Sequence, residues 1–150
     1  MRISSESKVR VEFYDVDSMD VVYHANYIKF LEVARCDLLD KIGYGYNQMR
    51  ATNYLFPVTT LNVKYVRSLK FGQTATVRAA LLEWENRLKI KYEILAPDGA
   101  LVTKAETTQM AVKMPKGETC FVCPKELTDK VEAILKANNA RADDDGEILL

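Results

Sequence analysis

The sequence predicts an α+β fold: one long helix wrapped by a five-stranded antiparallel sheet, with a second helix after the sheet. Three observations carry this expectation. Apolar residues at Tyr27, Phe30, Leu31, Ala34, Leu38 and Ile42 recur at the spacing of a single helix face. From Leu55 onward the apolar period shortens to two, as side chains do on opposite faces of a strand. Short turn sequences join these segments, and such turns connect antiparallel neighbours.

The elements follow in chain order. Val9-Arg10-Val11-Glu12-Phe13 alternates and reads as a first strand. A short connection holds Asp15, Asp17 and Asp20, then His24, the only histidine. The long helix is expected to begin near His24 and to end at Gly43, a residue suited to the left-handed position after a last turn. That is about 18 residues, or ~27 Å. Glu32 and Arg35 are spaced to pair on it, a contribution of ~0.2–0.5 kcal/mol. Gly43-Tyr44-Gly45-Tyr46-Asn47 reads as a turn, with a short helical turn over 48–53.

Four strands come next. Leu61, Val63 and Tyr65 alternate with polar neighbours, as do Ala75, Val77, Ala79 and Leu81. Glu85-Asn86 connects to Leu88, Ile90, Tyr92 and Ile94, and Pro97-Asp98-Gly99 is a turn because Pro presets φ and Gly permits positive φ. A last strand is expected from Leu101 to Lys113, stopped by Pro115-Lys116-Gly117. A helix over 124–138 presents Leu127, Val131, Ile134 and Leu135, and the acidic tail from Asn139 is expected to fray.

Composition narrows the function classes. The 150 residues suit one domain, with 48% apolar and 28% charged residues. Lys+Arg and Asp+Glu both number 21, so no basic excess points to nucleic acid or an anionic membrane. No apolar run reaches spanning length, and the expected location is cytoplasmic. Of the three cysteines, Cys120 and Cys123 form one C-x-x-C without a second pair. Four ligands, or three and water, are the usual zinc set, so these cysteines are expected to be inert and the protein metal-free.

The acidic stretch carries the chemistry. Carboxylates between a strand end and a helix N-terminus stand beside free backbone N–H groups that favour negative charge. A base then adjoins a potential oxyanion site. The same residues have plainer uses: Asp17 as a turn or cap carboxylate, Asp15 as a structural one, and His24 as a cap.

Asp15-Val16-Asp17, then Val21-Val22-Tyr23-His24-Ala25-Asn26-Tyr27, then Glu32 and Ala34-Arg35, resemble the signature of hot-dog-fold acyl-CoA thioesterases. The similarity is to the 4-hydroxybenzoyl-CoA thioesterase group, including its Tol–Pal-associated members, over residues 8 to about 114. The resemblance implies hydrolysis of an acyl-CoA to a free acid and CoA. It implies Asp17 as catalytic carboxylate, base or nucleophile, and the His24 backbone N–H as the group that polarises the thioester carbonyl. It further implies a homodimer or homotetramer with active sites between subunits, and no cofactor beyond the coenzyme A of the substrate. Tyr23 is a further candidate for substrate contact, Val58 and Thr60 for an acyl pocket shared with a neighbouring subunit, and Arg67, Arg87 and Lys89 for the phosphates. Asp20 departs from the family's usual Gly at a tight turn, though Asp tolerates left-handed backbone better than most residues. Two other readings stand beside this one: an acyl-thioester dehydratase or hydratase, and a non-catalytic acyl-thioester-binding protein.

Overall fold

The computed structural model describes residues 1–150. Its long helix α1 runs Asn26–Ile42, starting two residues after His24. All six residues of the predicted apolar face are buried. Gly43 ends it at φ 96°, donating its N–H to the carbonyls of Leu39 and Asp40. A residue with a Cβ would meet steric cost at that φ, which is why Gly stops the helix here. A short helix α2 (Tyr46–Ala51) follows, its Gly45 start lying so close to the Asp40 carboxylate that no side chain would fit without a shift.

The strands are β1 (Arg2–Arg10), β2 (Tyr54–Leu55), β3 (Val58–Tyr65), β4 (Thr74–Glu83), β5 (Leu88–Leu95), β6 (Leu101–Gln109), β7 (Ala111–Lys113), β8 (Glu118–Cys120) and β9 (Glu147–Leu149). The main sheet has the order β3-β6-β5-β4-β1-β9. Its first five strands are antiparallel, as expected, and β9 adds a sixth, parallel to β1. Ala75, Val77, Ala79 and Leu81 on β4, with Leu88, Ile90, Tyr92 and Ile94 on β5, are 0% exposed and form the inner face. The period-two pattern marked that face correctly because both strands are central and covered on one side. α1 packs over β1 and β4, and α3 (Lys125–Ala137) adds Leu127, Val131 and Leu135 to the core.

Four features differ from the sequence reading. The first strand is Arg2–Arg10 rather than Val9–Phe13, and Phe13–Asp15 form a 3-10 turn. Its buried Ser4 and Ser5 gave no apolar alternation, although pairing with β4 holds them inside the sheet. The last strand breaks at Met110, and β7 leaves to form a separate three-stranded sheet with β2 and β8. The tail does not fray: Ile3 pairs with Ile148, which is 9% exposed, and the N-terminal amine donates to the carbonyls of Arg141 and Ala142. Finally β3, an edge strand, leaves Leu61 and Tyr65 exposed by 40% and 45%, because α1 leans away from it.

Candidate active site at the N-terminus of the long helix

Between β1 and α1 the chain folds into a tight structure pinned to the sheet. Val16 bridges Val22, Val21 bridges Lys70, and the Val22 N–H donates to the Leu69 carbonyl at 2.9 Å. Inside this frame the two carboxylates separate. Asp15 is 3% exposed; its Oδ2 accepts the Glu12 N–H at 2.9 Å and its Oδ1 accepts Lys29 Nζ at 3.1 Å. Asp17 is exposed on the loop, and its Oδ1 accepts the Met19 N–H at 2.8 Å. The Asp20 N–H closes the turn on the Asp17 carbonyl at 3.0 Å, and Asp20 takes φ 60°, where glycine is favoured. The left-handed turn that the sequence placed at Asp20 is therefore present with an L-residue in it.

The helix start lies against this loop. The Tyr23 N–H donates to the Asp15 carbonyl at 3.0 Å, and Asn26 Nδ2 donates to the same carbonyl at 2.8 Å. His24 is exposed, and its N–H is bonded to no protein acceptor. No side chain caps the helix, so the positive end of α1 is left open where the loop that carries Asp17 ends. Tyr65, at the end of β3, donates its hydroxyl to the His24 carbonyl at 2.7 Å, and its ring meets those of His24 and Tyr27 at 6.3 and 5.4 Å. The Tyr27 hydroxyl accepts the Leu69 N–H at 3.0 Å, and burial raises its pKa, keeping it neutral. Tyr65 was missed from the sequence. It reads there as one more alternating aromatic, and only the fold carries it to His24.

The other candidate residues divide into two groups. Arg67 lies two residues beyond β3, at the end where Tyr65 bonds the His24 carbonyl. Val58 and Thr60 lie toward the opposite end of β3, Val58 about 23 Å from Tyr65 for seven residues of strand. Thr60 pairs with Thr108 and Thr108 with Lys89, so Lys89 shares that far end, as does Arg87 in the β4–β5 turn. Arg87 is engaged by Glu83 at 2.9 Å and Lys89 by Glu106 at 3.2 Å. Arg67, Arg87 and Lys89 therefore do not converge within one protomer. Elsewhere, no group of three or more His, Cys, Asp or Glu side chains gathers as a metal site.

An uncapped helix start, a free backbone N–H and an accessible carboxylate on one loop suit attack on a carbonyl whose oxygen gathers charge. The chain belongs to the thioesterase-like superfamily, whose model matches residues 11–135. It is a thioester hydrolase of the hot-dog fold, as the sequence signature implied. Among its relatives is YneP of Bacillus subtilis, itself named only provisionally as an acyl-CoA thioesterase, 32% identical over 72% of this chain and 79% of that protein. The long-chain acyl-CoA thioesterase FadM of Escherichia coli is 27% identical over 87% of this chain and 99% of its own. Among solved structures, a DHNA-CoA thioesterase from Staphylococcus aureus superposes with a TM-score of 0.81 at 28% identity, covering 97% and 99% of the two chains.

Proposed function

We propose that this protein hydrolyses the thioester of an acyl-CoA, with Asp17 as the reacting carboxylate and the His24 N–H as the oxyanion donor. The observation that carries this reading is that one loop holds both an exposed carboxylate, fixed by the Met19 N–H, and, where it enters α1, a free backbone donor. The donor polarises the thioester carbonyl as charge moves to its oxygen. Asp17 either takes a proton from attacking water or attacks the carbon itself. In both routes the C–S bond breaks, CoA leaves as the thiolate, and water supplies the oxygen of the acid. No step needs a metal or an organic cofactor. The hydratase reading is less well supported, since the one imidazole stands exposed with no acid side chain bonded to it.

The site is completed, in this reading, by a second copy. β3 is a long open edge strand with an uncovered inner face, whereas β9 occupies the other edge of the sheet. Antiparallel pairing of β3 with itself, in full overlap, sets Val58 opposite Tyr65. Val58 and Thr60 of the partner subunit, and with them the far-end basic residues, then stand beside His24 and Arg67. The two groups of candidate residues, apart in one protomer, meet across a twofold axis.

The direct test is Asp17→Asn, which keeps shape and the Met19 contact while removing the charge. The turnover number for an acyl-CoA is expected to fall at least ~10²-fold, the lower range for losing a positioned acid–base group. Thiol release in a spectrophotometric assay measures it, and full turnover in the variant would remove Asp17 from the mechanism.

A further inference from the structure

The residue proposed as oxyanion donor is held by the backbone on one side only. The peptide that carries the His24 N–H is fixed through its other end, because the Tyr23 carbonyl accepts the Asn26 N–H at 2.8 Å. The next peptide, which carries the His24 carbonyl, has no backbone partner. A regular helical turn gives such a carbonyl the N–H four residues on, here that of Ile28. The first turn is tighter than that: the Ile28 N–H goes to the Ala25 carbonyl at 3.3 Å, and no backbone N–H reaches the His24 carbonyl. Its one protein donor is the Tyr65 hydroxyl, at 2.7 Å.

The sheet holds Tyr65 firmly. Its backbone pairs with Thr103 of β6, and directly beyond it the Val66 and Arg67 N–H groups both donate to the Val102 carbonyl, at 2.8 and 3.0 Å. Its ring meets that of Tyr27 edge-on at 5.4 Å, and Tyr27 is buried and bonded through its hydroxyl to the Leu69 N–H. The His24 ring meets those of Tyr65 and Tyr23 at 6.3 and 4.4 Å. Tyr65 is itself half-exposed, and a hydrogen bond open to water adds little to stability, since water replaces either partner. What the bond supplies is direction. An oxyanion donor works only where charge develops, and a misplacement of about 1 Å can cost about 10²-fold in rate.

We infer that Tyr65 is a positioning residue for hydrolysis: by donating to the His24 carbonyl it fixes the His24 backbone, and so the direction of the His24 N–H toward the thioester carbonyl. This rests on the thioesterase reading and adds a residue to it. Tyr65 neither touches the reacting atoms nor moves a proton. Without its hydroxyl the His24 carbonyl turns to water and the N–H loses its aim, so the cost falls on the chemical step and not on substrate binding.

Tyr65→Phe keeps the ring contacts and removes only the hydroxyl. Wild type and variant are assayed with acetyl-, octanoyl-, palmitoyl- and benzoyl-CoA. For the substrate that the wild type cleaves fastest, kcat is expected to fall at least tenfold with KM within twofold, while the urea midpoint and sedimentation coefficient stay unchanged. A readout independent of turnover follows from His24 being the only histidine: isotopically labelled histidine gives one backbone amide signal by NMR. The dethia analogue of octanoyl-CoA, a ketone in which a methylene replaces the sulfur, is expected to move that signal downfield in the wild type and less than half as far in the variant. Unchanged kcat, a loss carried by KM, a loss matched by lower stability or altered sedimentation, or an analogue shift undiminished in the variant would each overturn the positioning role. No hydrolysis by the wild type, with the analogue shift present and diminished in Tyr65→Phe, would overturn the hydrolase reading alone.

Discussion

Asp15 and Asp17 are two residues apart, yet the 3-10 turn sends one into the protein and leaves the other in solvent. Asp15 anchors the loop through the Glu12 N–H and Lys29, and its backbone carbonyl holds Tyr23 and Asn26. Asp15→Asn removes the charge from a buried acceptor, so a stability loss of about 1–3 kcal/mol is expected, measured by urea unfolding. Turnover should change no more than about threefold, because the carboxylate has no exposed oxygen to offer a substrate. A loss of turnover as large as that in Asp17→Asn, at unchanged stability, would exchange the two roles. Asp20 completes the loop at φ 60°, an arrangement that Asp and Asn tolerate because a short polar side chain bonds locally.

At the scale of elements, the two edges of the main sheet are treated differently. β9 covers the outer side of β1, tied down by Ile148 in the core and by the Leu150 N–H on the Ser4 carbonyl at 2.8 Å. β3 remains open along eight residues, with Val58, Leu61 and Tyr65 exposed. An uncovered apolar edge invites pairing, and charge on such an edge discourages it. Leu61→Lys is therefore expected to block the proposed β3–β3 pairing and leave a monomer at micromolar concentration in sedimentation velocity. Hydrolysis should fall with it, since the second group of site residues is lost. A wild-type protein that sediments as a monomer would sink the shared site.

For the molecule as a whole, the C-x-x-C belongs to the architecture. Cys123 is buried between the sheet and the start of α3, its N–H donating to the Glu85 carbonyl at 2.7 Å. Burial, with Glu83 and Glu85 nearby, pushes its thiol up to about 12. The folded protein thus favours the neutral thiol over an unfolded chain with a pKa near ~8.5. This stabilisation is complete below the unfolded value and is lost as pH rises toward the folded one. Iodoacetamide at pH 8 is expected to label Cys36 and spare Cys123 in the folded state. Stability should decline between about pH 9 and 12, less steeply in Cys123→Ala. Rapid labelling of Cys123 at neutral pH would contradict its burial.

The sequence by itself determined the long helix, its buried face and its Gly43 stop, the inner faces of β4 and β5, and the acidic loop before His24. Each of these is local: a period, a cap residue or a motif lies within one stretch of chain, where side-chain direction follows from backbone geometry. Only the tertiary structure decided the rest. Ser4 and Ser5 are buried because β4 pairs with them, and β9 is a strand because β1 offers an edge. Leu61 is exposed although it alternates as faithfully as Leu81, because α1 lies over β4 and away from β3. Tyr65 reaches His24 only once two elements some forty residues apart are packed. Periodicity states which side of an element is apolar; which neighbour covers that side depends on contacts between distant segments, which no local pattern contains.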